Sequence, residues 1–173
     1  MKAFFVSVFA LLLALAPGQA QTNEKYHYNQ VYDYSAEDLV PYRFNADELT
    51  ALAKSYVGSM YAANGKDPAS GFDCSGFTFY IYKQFGIYLP YFSSQQGEVG
   101  QVVMMADAQP GDLIFFTGYD QYTSVVGHVG IVISKKGEKL AWVHATTSKG
   151  VRVDNLSNGY YKSRFLNIRR VAE

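Results

Sequence analysis

Near residue 112 the hydrophobic period of the chain switches from three-to-four to two, and no other feature limits the possible folds as strongly. Upstream, Leu49, Leu52, Ala53 and Tyr56 recur at helical spacing in "ADELTALAKSYVG". Asn45 stands before them as an N-cap with Glu48 three positions on, and Gly58 follows as a stop. A second helix is expected to open after Asp73, with Phe77, Tyr80, Ile81 and Phe85 as its apolar stripe and Gly86 at its end. The segment "NGKDPASG" between the two helices reads as a loop, and "LPYFSSQQGEVGQVV" as loop and short helix. Downstream, "LIFF", "HVGIVIS", "LAWVHAT", "GVRVD" and "RFLNIRRVA" carry strand character. Helices first and an antiparallel sheet after them make an α+β fold.

The first twenty residues belong to neither part. Lys2 precedes a run from Ala3 to Ala16 that is apolar apart from Ser7, Pro17 breaks it, and Gly18-Gln19-Ala20 supplies small residues for cleavage. That is the layout of a secretory signal peptide, and the run is short for a membrane span. We therefore expect residues 1–20 to be removed, 21–44 to form a tyrosine-rich N-terminal arm, and 45–173 to form one domain. The mature protein would be exported, periplasmic or secreted. It would lack stable membrane insertion and, with no cysteine near the cleavage site, lipid attachment. Fifteen Lys and Arg balance fifteen Asp and Glu without a basic run, so no nucleic-acid partner is expected.

An exported chain whose only cysteine is Cys74 has no internal disulfide to form. Cys74 falls at a predicted helix start, between Asp73 and Ser75. Partial positive charge and free N–H groups there favour thiolate. The segments "HVGIVIS" and "LAWVHAT" flank "KKGEK", a strong hairpin signal. With the turn centred on Gly137, Gly130 faces His144, and His128 and His144 project from the same face as diagonal neighbours. An imidazole beside the thiol would take its proton, and a second imidazole would orient the first. Three plainer readings compete with this one: a buried, inert cysteine, histidines that are ordinary satisfied strand residues, or a Cys-His-His zinc site.

"GFDCSGF", followed in order by "QPGDLIFF", "GHVGIVI", "WVHATTSKGV" and "YYKSRFLNIRRV", resembles the NlpC-type bacterial cell-wall cysteine peptidases, a reduced papain-like fold. The resemblance runs from about Asn45 to the end. It implies Cys74 as nucleophile, His128 as general base and His144 as the residue that orients the base. It also implies substrate contacts from Tyr61, Asp73 and Ser75, and an oxyanion role for Tyr61. The chain departs from the family pattern at "AANG" and at Tyr91-Phe92, positions expected to line the groove.

The function so implied is a murein endopeptidase that hydrolyses amide bonds in peptidoglycan stem peptides or crosslinks through an acyl-enzyme thioester, without metal or cofactor. The same three side chains would also serve an amidase or acyltransferase. A non-catalytic wall-binding module would need none of them.

Overall fold

The structure, a computed structural model, describes residues 44–173. The expected signal peptide and all but the last residue of the expected arm lie outside the described residues. Helix α1 (Ala46–Ser55) begins as its sequence predicts. The Asn45 side-chain oxygen accepts from the N–H groups of Asp47 and Glu48 at 3.0 and 3.2 Å, and its amide donates to Glu48 at 2.9 Å. Leu49 and Ala53 are its buried apolar contacts with the core.

Where a loop was expected, strands β1 (Lys66–Asp67) and β2 (Gly71–Phe72) form a small hairpin. The Asp67 carboxylate makes its turn by accepting from the N–H groups of Ala69 and Ser70. Helix α2 (Cys74–Lys83) follows at once, capped by Asp73, which accepts from the Gly76 N–H at 2.6 Å. The Asp73 N–H donates to the Gly65 carbonyl at 2.9 Å. A Cβ at position 76 would lie 2.0 Å from that same oxygen. Only glycine lets the first turn of α2 press against this carbonyl, and the contact holds Cys74 in place.

After the short helix α3 (Ser93–Gln96) come β3 (Gln101–Val103), β4 (Leu113–Thr117), β5 (Val126–Val132), β6 (Ala141–Thr146) and β7 (Gly150–Asn155). Helix α4 (Gly159–Lys162) and strand β8 (Phe165–Arg170) close the chain. The six larger strands form one antiparallel sheet in the order β3-β8-β4-β5-β6-β7. This is the α+β class expected, with β3 as an additional edge strand.

Alternation splits the sheet residues between two cores. Leu113, Phe115, Val129, Ile131, Val143 and Ala145 join Leu49, Phe77 and Ile81 from the helices. Ile114, Phe116, Val132, Trp142 and Ile168 form the second cluster with Tyr161. Tyr82, fully buried, donates its hydroxyl to the Gly111 carbonyl and so ties α2 to the turn before β4. Arg170 reaches both oxygens of the buried Asp112, at 2.8 and 3.0 Å, and locks β8 beside the start of β4. Among the described residues no helix is long and apolar enough to cross a membrane.

Candidate active site

The β5–β6 register is the one a turn centred on Gly137 dictates, for Ile131 faces Val143 and Val132 faces Trp142. Gly137 itself has φ +84°, left-handed backbone that suits glycine. His128 and His144 therefore share a face. A Cβ at position 130 would sit 2.6 Å from Trp142 Cδ1 and 3.2 Å from His144 Cβ, so the missing side chain opens the space between the rings. His128 Nε2 meets His144 Nδ1 at 2.6 Å, with the ring planes 70° apart. Phe116, Trp142 and Tyr161 surround the pair, and Tyr161 stacks on His128 with ring centroids 6.2 Å apart.

The next strand adds residues that the sequence reading missed. His144 faces Arg152 on β7, so Asp154, two positions on, shares their face. Asp154 Oδ2 lies 3.0 Å from His144 Nε2, and Arg152 donates to Oδ1 at 2.8 Å. The parity argument that joined the two histidines would have found both residues, had "GVRVD" been paired as well as read as a strand.

Cys74, half-buried, is the first residue of α2. It lines a cavity of about 450 Å³ together with Tyr61, His128, Arg152, Asp154 and Tyr161. The backbone N–H groups of Val129, Ser75 and Cys74 itself act on the sulfur and favour its anion. They are outweighed: burial first, and then the Asp73 carboxylate, push the thiol up to about 11. Burial, and then His144, hold His128 well below the ordinary imidazole value. Burial thus favours the neutral form of each group, thiol at Cys74 and imidazole at His128. The helix terminus had suggested a standing thiolate, but burial disfavours charge on either partner.

The remaining expected site residues are placed unevenly. Tyr61 lines the cavity with Cys74. Asp73 and Ser75 lie outside this cavity's lining; the Asp73 carboxylate is occupied by the Gly76 N–H and by the Ser75 hydroxyl at 3.3 Å. Tyr91 and Phe92 also fall outside the lining. They are exposed, with Tyr91 packed on Phe79 and under the Lys66 ammonium. In "AANG", Asn64 (φ +58°) and Gly65 form the turn that receives the start of α2.

Comparisons with known proteins bear on family and fold. The NlpC/P60 family model matches residues 58–170. A curated Bacillus subtilis relative, named gamma-DL-glutamyl hydrolase, is 36% identical over 135 residues, covering 74% of this chain and 31% of its own length. The Escherichia coli protein named murein DD-endopeptidase MepS/murein LD-carboxypeptidase is 36% identical over 131 residues, 73% of this chain and 65% of its own length. The chain thus spans less than two thirds of either relative. A Bacillus cereus NlpC/P60 family crystal structure superposes with a TM-score of 0.67 at 34% identity, covering 75% of this chain and 41% of that one. The NlpC/p60 domain of the peptidoglycan hydrolase SagA gives 0.61 at 29%, with 73% and 99% covered. The family model spans more than half of the chain, and the chain belongs to the NlpC/P60 family.

Proposed function

We propose that this chain is an exported cysteine endopeptidase that hydrolyses an amide bond in peptidoglycan stem peptides or their crosslinks. The observation that carries the reading is a thiol and an imidazole lining one cavity, with the far nitrogen of that imidazole held by a second ring at 2.6 Å. One relative is named as a murein DD-endopeptidase and murein LD-carboxypeptidase, which supports the same substrate class here.

The His128 Nε2 faces His144, which leaves Nδ1 to serve the thiol. As the Cys74 sulfur attacks the carbonyl carbon, its proton passes to His128 Nδ1, so charge appears only during the reaction. The tetrahedral oxyanion is met by the Cys74 backbone N–H at the start of α2 and by the Tyr61 hydroxyl. Burial, then Asp73 and Cys74, raise the Tyr61 pKa, which keeps its O–H as a donor. The imidazolium returns its proton to the leaving nitrogen, and the C–N bond breaks to give a thioester on Cys74. Water, deprotonated by His128, attacks that thioester; the acid departs and the thiol is restored. His144 holds the His128 ring throughout, and no metal or cofactor takes part.

Mass analysis of muropeptides before and after incubation with the protein tests this. Products that differ from substrate by one water, with a new amine and a new carboxyl at one peptide bond, are expected. Muropeptides left intact, or altered only by acyl exchange, would count against the reading.

A further inference from the structure

The chain of hydrogen bonds does not stop at His144. Its Nε2 reaches the buried Asp154, whose other oxygen is held by Arg152. We propose that Asp154 is a positioning residue that sets the tautomers of both imidazoles, making His128 Nδ1 the bare nitrogen that serves Cys74. The kinetic side of this proposal rests on the hydrolase reading above; the tautomer side does not.

The logic is a count of protons. An ionised carboxylate accepts hydrogen bonds and donates none. Burial works to raise the Asp154 pKa, but the His144 hydrogen bond and the Arg152 and Lys149 cations outweigh it, so the carboxyl stays ionised. His144 must then carry its proton on Nε2. A neutral imidazole has only one N–H, so His144 Nδ1 is bare and accepts. Across the 2.6 Å gap, His128 must donate from Nε2. His128 Nδ1 is left with a lone pair. Burial, the first cause acting on each ring, holds both pKa values down and keeps both rings neutral.

Reverse the chain and the base disappears. If His144 donated from Nδ1, His128 would accept at Nε2 and carry its proton on Nδ1, facing the thiol with nothing to offer. Two imidazoles alone do not choose between these patterns; a carboxylate at the end does. Besides His144 and His128, the charged or titratable groups that interact with Asp154 are Arg152 on its own strand, Lys149 in the preceding turn and Tyr161 on α4.

Asn at position 154 makes the sharp test. Arg152 donates to Oδ1, so the amide oxygen is required on that side and the NH₂ is turned toward His144. The amide then donates to His144 Nε2 and inverts the relay. In D154N we expect kcat on muropeptides to fall ~10²–10⁴-fold with KM within a few-fold, and D154E to recover part of the loss. Imidazole ¹⁵N shifts read the tautomers directly, and with three histidines in the chain, a His27→Gln sample completes the assignment. The wild type should show Nε2–H at His128 and His144, and D154N should show Nδ1–H at both. Wild-type kcat in folded D154N, or unchanged tautomers there, would overturn the proposal. Should D154N fail to fold, a proton on His128 Nδ1 in the wild type would overturn it alone. If the wild type cleaves no muropeptide, the hydrolase reading falls, and the nitrogen shifts still decide the role of Asp154.

Discussion

His128 Nε2 and His144 Nδ1 stand 2.6 Å apart, on adjacent strands and across from a glycine. Three local facts produce that contact: a hairpin turn of fixed length, the period of two along each strand, and the missing side chain at Gly130. Together they hold one imidazole by another without a carboxylate touching the first.

The two rings should therefore be unequal under mutation. On the proposed mechanism His128 would move the proton and His144 would hold its ring in place, so His128→Ala should lower kcat ~10²–10⁴-fold and His144→Ala clearly less. Steady-state kinetics on a defined muropeptide checks this, with KM little changed in both. Equal losses would speak for a shared structural or metal-binding role.

Gly130→Ala places a methyl group 2.6 Å from Trp142 Cδ1 and 3.2 Å from His144 Cβ. We expect a loss of about 1–3 kcal/mol in denaturant unfolding, as for overpacked cores, and a drop in kcat larger than in stability-matched surface variants. Wild-type stability and activity together would show that the rings do not need the gap.

Asp73→Asn separates capping from charge. Asn caps a helix as well as Asp, so stability should change little, whereas Asp73→Ala should lose ~1 kcal/mol. The Asp73 carboxylate is the second cause, after burial, of the raised thiol pKa. Its removal should lower the pKa of Cys74 and quicken alkylation at a fixed mildly alkaline pH. Slower alkylation in D73N would contradict the sign.

Mild acid should weaken the fold. Both rings have folded pKa values below the ordinary one, so the unfolded chain binds more protons once pH falls below about 6.5. Stability is fully present above that pH and declines as pH drops toward the folded values. Melting temperature measured from pH 7 to 5 should fall, and fall less when both histidines are replaced by Gln. Where the protein is still folded, the acid limb of kcat/KM should lie below pH 6.5, about the ordinary imidazole value.

Much of this was legible in the residues because the signals were local. Asn45 and Asp73 cap the helices they precede, and the turn around Gly137 set the register that joined His128 to His144. What escaped depended on distant partners. Strand β3 has three residues and finds its partner in β8, at the far end of the chain. The β1–β2 hairpin was hidden in Gly, Pro and Asp, residues that ordinarily mark loops. Asp154 was within reach of the same parity rule, but its strand was not paired. The balance of charge at Cys74 was misjudged because burial depends on the whole fold, whereas a helix start is read from a few residues.

Replacement of the sulfur tests the central claim most directly. Cys74→Ala, with an unchanged circular dichroism spectrum and melting curve, should release no new muropeptide termini from purified peptidoglycan under conditions where the wild type does. Cleavage that survives the loss of the thiol would mean that the Cys74–His128–His144 constellation does not perform the chemistry.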